Sequence, residues 1–212
     1  MFRIDPVATL SMAIGLLLGL TVHEFAHAWT ANRLGDPTPR WAGRVTLNPL
    51  AHLDPIGAVL LLLMILGFAP IAWGKPVPIN PSYMRWGRRG AALATVAGPL
   101  SNFCLALVIA LLWRLIHATT GVSLPYNSGL RTLLVYMLWA NVALAAFNLV
   151  PIPPLDGFGI LEGLAPPSWL RVLEPLRRYG MWILLFLILG GGLFWAPLFQ
   201  ALFRLIANIA GL

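Results

Sequence analysis

His23-Glu24-Phe25-Ala26-His27 lies inside an apolar stretch running from Val7 to about Leu34, which places two histidines and a glutamate within one hydrophobic segment. A run of that length predicts a membrane-crossing helix, because about 20 residues rising 1.5 Å each span the hydrocarbon layer. Residues four apart share a helix face, so His23 and His27 can offer two imidazole nitrogens to one tetrahedral ion while Glu24 reaches its water. In a soluble protein the same pentapeptide is more often a pair of core histidines with satisfied hydrogen bonds. Inside lipid the balance changes: a charged group costs about 3 kcal/mol or more, and such groups face a cavity, a partner or a metal. The placement predicts a zinc hydrolase site within the bilayer, with Glu24 as general base.

The whole chain has a membrane composition. Its 212 residues are 59% hydrophobic and 10% charged, with a mean hydropathy of +0.82, where soluble domains average about 45–50% apolar and about 25% charged. The apolar residues come in long blocks, which predicts an all-α polytopic membrane protein of about five or six membrane segments. We read residues 1–212 as a single membrane-embedded domain, with a core over 7–157 and a C-terminal apolar segment over 180–212. The first apolar block carries the histidines and follows no basic region, so it reads as a retained span rather than a cleaved leader. A single cysteine, Cys104, excludes a disulfide framework and a cysteine-rich metal site. Any metal must use His, Asp or Glu. The net charge of +7 is spread between apolar blocks and lines no single patch, so it reads as membrane topology and not as nucleic-acid binding.

After the first span comes a proline-bearing loop, Gly35 to Pro55, containing Asn48-Pro49-Leu50-Ala51-His52-Leu53-Asp54-Pro55. Ile56 to Phe68 is too short for a full crossing and predicts a re-entrant piece. Gly74-Lys75-Pro76-Val77-Pro78-Ile79-Asn80-Pro81 alternates proline with Val77 and Ile79, which predicts an extended, strand-like edge between the first two core spans. The next span, Gly90 to Ala118, opens with Ala97-Gly98-Pro99-Leu100-Ser101-Asn102, small and polar residues that permit close helix approach. Another, Leu130 to Val150, ends in Asn148-Leu149-Val150-Pro151-Ile152-Pro153-Pro154-Leu155-Asp156-Gly157, where prolines break the helix. Such breaks are tolerated at membrane depth where they line a cavity. A polar stretch with Arg171, Arg177 and Arg178 precedes the last apolar block, whose Gly190-Gly191-Gly192 and Pro197 leave open a kinked span or a hairpin.

Arg33, Arg40, Arg44, Lys75, Arg85, Arg88, Arg89, Arg171, Arg177 and Arg178, ten of the 14 basic residues, fall in three loops. By the excess of basic residues on cytoplasmic loops, these loops and the histidine pair lie toward the cytoplasm. The first two share a side only if Ile56 to Phe68 does not cross, in agreement with its length.

A catalytic zinc has three protein ligands and an open position, so the histidines need a third partner. Asp156 is favoured because it follows a proline-broken helix end, and His52 is the alternative. Against Asp156 stands an ordinary Asp-Gly turn, in which glycine accepts positive φ. Against His52 stands a loop histidine donating to a backbone carbonyl.

Taken in order, HEFAH, NPLAHLDP, GKPVPIN, AGPLSN and NLVPIPPLDG resemble the motifs of the site-2 protease family of intramembrane zinc metalloproteases, and they cover most of Val7 to Gly157. The resemblance implies a three-helix core with one zinc ion per chain, sunk in the membrane near the cytosolic side. It implies that His23, His27 and Asp156 are the ligands, Glu24 the catalytic acid and base, and Asn148 a residue that holds substrate or the developing oxyanion. The implied partners are the lipid bilayer and single-span or membrane-anchored protein substrates, cleaved within or near their transmembrane segments in the cell membrane of a prokaryote. Val77 and Ile79 are candidate substrate-binding positions, where an unwound segment would pair along the edge. The chain shows no inserted PDZ module of the kind found in larger members.

Two other classes compete. A divalent-metal transporter would repeat acidic or histidine residues across several spans, and the later spans hold few. A catalytically inactive membrane scaffold would tolerate loss of Glu24.

Overall fold

The computed structural model describes residues 5–65, 74–121, 128–190 and 193–211. Regular structure among them is helical throughout: α1 (Pro6–Arg33), α2 (Thr38–Trp41), α3 (Pro55–Ile65), α4 (Gly87–Thr120), α5 (Gly129–Asn148), α6 (Asp156–Leu164), α7 (Leu170–Leu189) and α8 (Ala196–Ala210), with short 3-10 turns between them. Helices α1, α4 and α5 are long and apolar enough to cross a membrane. Each packs on the other two, and this three-helix bundle is the framework of the molecule.

Small residues set how close these helices come. A Cβ at Gly15 would lie 2.9 Å from the Met137 Cα, and one at Gly19 would lie 2.8 Å from Asn141 Oδ1 and from a Leu144 methyl. Only hydrogen fits at those crossings, as is common where helices associate without a hydrophobic drive between them. Toward the other end of the bundle α8 closes the core, with Ile206 and Ala210 buried against Ala106, Ile109 and Ala110 of α4 and Leu134, Leu138 and Val142 of α5.

Helix α3 has 11 residues, a length of about 16 Å at 1.5 Å per residue and about half the hydrocarbon thickness. This helix covers the described part of the segment expected to be short and re-entrant, and residues 66–68 of that segment lie outside the described residues. The strand-like expectation is narrowed to an unpaired edge: residues 74–80 belong to no helix or strand. Their backbone is held instead by side chains. The buried Arg44 guanidinium donates to the carbonyls of Lys75 and Pro76 at 2.9 Å each, and the Asn80 N–H donates to the buried Asp36 carboxylate at 2.7 Å. Prolines at 76, 78 and 81 remove the donors a sheet ladder needs. The polar stretch with Arg171, Arg177 and Arg178 is also not a loop but the first half of α7, and α7 and α8 are separate helices.

Candidate metal centre

His23 and His27 stand one turn apart near the C-terminal end of α1, both about 5% exposed or less. Each ring is oriented through its Nδ1 by α4. His27 Nδ1 donates to the Ala94 carbonyl at 2.8 Å, and His23 Nδ1 is 2.6 Å from Asn102 Oδ1. Helix α4 can approach this closely because residue 98 is glycine. A Cβ at Gly98 would lie 2.8 Å from His23 Cε1 and would overlap the His27 ring. Pro99, buried inside α4, lacks the N–H that would bond back to residue 95, so the helical ladder is interrupted in the turn that meets the histidines.

Asp156 reaches the same point from the other side of the bundle. Helix α5 stops at Asn148 because Pro151, Pro153 and Pro154 cannot continue it, and α6 restarts with Asp156 as its first residue. Gly157 follows for a steric reason, since an added Cβ would overlap the Leu149 and Val150 carbonyls. It is not among the glycines with positive φ, so the plain-turn account of Asp156-Gly157 does not hold. Arg88 fixes the far end of α6 by donating to the carbonyls of Glu162 and Ala165. Arg177 of α7 pairs with Glu162, and Gly180 of α7 lies against the Pro153 ring, so α7 braces the proline-rich turn. A Gly157→Ala variant is expected to displace the turn and destabilise the fold by about 1–3 kcal/mol, visible as a lower melting temperature together with weakened zinc binding.

The three ligand atoms converge. His23 Nε2 lies 3.0 Å from His27 Nε2 and 3.0 Å from Asp156 Oδ2, and His27 Nε2 lies 3.3 Å from the same oxygen. With both Nδ1 atoms donating elsewhere, a neutral imidazole leaves a bare lone pair on each Nε2. Asp156 Oδ2 is buried and has no hydrogen-bond partner among the described residues. Acceptors face acceptors. A carboxylate buried against two bare nitrogen lone pairs is stable only with a positive charge between them. Two imidazole nitrogens and a carboxylate oxygen are a ligand set of catalytic zinc sites, which leave a further position open. The residues fit one zinc ion.

Of the other expected positions, Glu24 is next to His23 on α1 and 8% exposed. Asn148 directs one amide N–H to the Leu144 carbonyl of its own helix at 3.0 Å. Ile79 packs with Leu34 and Ala91 over the cluster of Ala31, Met84 and Ala94, and Val77 is half-buried. His52 is not in the metal cluster: its Nε2 donates to the Thr46 carbonyl at 2.8 Å, which makes it a buried structural histidine of the loop. Two residues of the site carry no signal as such in the sequence. Asn102 stands only among the small and polar residues of its segment, and Asn141, which receives a bond from Asn102 at 3.0 Å, stands among apolar neighbours.

Two buried histidines on a helix that can span a bilayer, met by a carboxylate at the start of the short helix α6, fit a membrane metalloprotein of hydrolytic type. Residues 112–189 match the model of Peptidase family M50. The "Putative zinc metalloprotease YwhC" of Bacillus subtilis is 37% identical over 191 residues, which cover 88% of this chain and 85% of that protein. Rip2 of Mycobacterium tuberculosis, which carries the same designation, is 33% identical over 83% of this chain and 65% of its own length. Regulator of sigma-E protease RseP of Salmonella typhimurium is 30% identical over 110 residues, 48% of this chain and 24% of that protein. No solved structure gives a significant match. The chain belongs to Peptidase family M50, the site-2 proteases. It is an integral membrane zinc metalloprotease.

Proposed function

We propose that His23, His27 and Asp156 hold the zinc ion and that Glu24 is the catalytic acid and base for hydrolysis of peptide bonds within or near transmembrane segments of membrane-anchored proteins. The observation that carries this reading is the meeting of the two Nε2 atoms and Asp156 Oδ2 within 3.3 Å, with no donor between them. A zinc ion held there would acidify water and polarise a carbonyl. The chain's own residues do the rest. Glu24 takes a proton from the attacking water onto its carboxylate and returns it to the leaving amide nitrogen. Asn148 spends one of its two amide N–H groups on Leu144, and the other is a donor for substrate or for the developing oxyanion.

Depth follows from α1. His27 and His23 lie six and ten residues before Arg33, about 9 and 15 Å along the axis. The basic residues at that end favour the cytoplasmic face of a prokaryotic plasma membrane. Counting α3 as re-entrant, with α7 and α8 beside the bundle, the chain has six membrane segments, one single domain over residues 1–212.

A substrate helix presents no free carbonyl, so it must unwind before it is cut. Val77 and Ile79 are the only residues between Lys75 and Asn80 with backbone donors, and we assign them the edge on which the unwound segment pairs. Ile79 also packs against the helices, so Val77→Pro is the cleaner test, since it removes one donor and keeps an extended backbone. Cleavage of a single-span substrate is expected to fall about tenfold, the worth of one charge-neutral hydrogen bond, with zinc content unchanged; an unchanged rate removes the edge from the account.

The function itself is tested by reconstituting the full chain in liposomes with a single-span substrate. Cleavage that stops on chelation and returns with zinc is the expected result. Zinc flux without any cleavage would favour the transporter reading.

A further inference from the structure

The buried amides of Asn102 and Asn141 form a chain that ends on His23. Both are fully buried in the interior where α1, α4 and α5 meet. Asn102 Nδ2 donates to the Gly19 carbonyl at 2.9 Å and to Asn141 Oδ1 at 3.0 Å, and Asn141 Nδ2 donates to the Met137 carbonyl at 2.8 Å.

Amide oxygen and nitrogen are normally told apart only by their partners. Here each amide has one partner that cannot be a donor. The Gly19 carbonyl forces the nitrogen of Asn102 toward α1, and the Met137 carbonyl forces the nitrogen of Asn141 back along its own helix. The oxygen of Asn141 then faces Asn102, and the oxygen of Asn102 faces His23. A rotated Asn102 amide would set its oxygen against two acceptors and its nitrogen against a ring N–H. The same crossing admits no Cβ at Gly19, whose absence lets the Gly19 carbonyl and the Asn141 side chain approach Asn102 together.

We propose that Asn102 and Asn141 are positioning residues: through an amide relay fixed at the Gly19 and Met137 carbonyls, they hold His23 as the Nδ1–H tautomer and keep its Nε2 lone pair on the zinc site. The proposal rests on the reading of His23 as a ligand. His27 needs no such relay, because a backbone carbonyl, Ala94, fixes its tautomer directly. The two ligands of α1 are thus oriented in different ways, and only His23 depends on side chains that can be replaced.

The test is zinc affinity of the detergent-solubilised full chain, measured by chelator competition, which does not depend on activity. Asn102→Leu keeps the branched outline of the side chain, at some added volume, and removes the acceptor, and affinity is expected to fall about 10- to 100-fold, the range for partners that orient metal-bound histidines. Asn102→Asp keeps an oxygen toward His23 but sets its other oxygen against the Gly19 and Asn141 acceptors, so it is expected to recover only part of that loss. Asn141→Leu leaves the Gly19 bond in place and should cost less than Asn102→Leu. A purely packing role predicts the opposite order, with Leu tolerated and Asp harmful in a buried site, and that order overturns the proposal. His23→Ala in the same assay separates the two layers: unchanged affinity there overturns the ligand assignment itself, whereas lost affinity there with an unaffected Asn102→Leu overturns only the relay. Should the asparagine variants not fold, ring 15N shifts of the zinc-loaded wild type decide. The chain has four histidines, so His23 is readily assigned. A proton on Nδ1 with metal on Nε2 is expected, and the reverse overturns the relay.

Discussion

Glu24→Gln is expected to lower peptide-bond hydrolysis by about 10²- to 10⁴-fold, the usual contribution of a positioned acid and base, while the protein retains its full complement of zinc. Gln preserves the size and the hydrogen-bonding reach of the side chain but cannot accept the proton of the attacking water. Glu24 lies on α1 beside His23 and nearly buried, yet it is not one of the grouped ligand residues. Its loss should therefore leave the ion in place. Parallel measurement of substrate cleavage and metal content checks both halves. A wild-type cleavage rate would remove Glu24 from the chemistry, and loss of zinc would make it a ligand.

Asp156→Ala is expected to weaken zinc binding by more than about 100-fold, because partners one bond further from the metal are already worth about 10- to 100-fold. Activity falls with it. In the proposed site the carboxylate would supply the negative charge and the third ligand atom, and its removal leaves two imidazoles in a buried pocket. The fold should survive, because α6 is held by Arg88 at its other end and by the Arg177–Glu162 pair. Far-ultraviolet circular dichroism and chelator competition on the same preparation check this. Retained zinc with retained affinity would show that the ligand set has been misread.

Those parts of the site that follow local rules are legible in the amino-acid sequence. His23 and His27 can be read because a spacing of four is one helical turn, and the apolar stretch around them sets their depth. Asp156 stands out because prolines before it end a helix where a membrane helix should continue. The three core crossings are visible as apolar blocks, with ends shifted by only a few residues from Pro6–Arg33, Gly87–Thr120 and Gly129–Asn148. What escapes depends on contacts between residues far apart in the chain. Asn102 and His23 are 79 residues apart, and Asn102 and Asn141 are 39 apart, so no periodicity joins them. Gly98 looks like any small residue of a packed helix, although its hydrogen is what admits the His27 ring. The proline-rich segment over residues 74–80 suggests an edge, but its carbonyls are held by Arg44, a residue whose burial nothing in its neighbourhood announces.

Zinc-edge X-ray absorption on the purified protein bears most directly on the convergence of α1 and the proline-broken end of α5 on one ion. The expected spectrum shows one zinc per chain with only nitrogen and oxygen neighbours, two of them imidazoles, at about 2.0–2.1 Å. Absence of stoichiometric zinc, or an imidazole count that stays at two in His23→Ala, would contradict it.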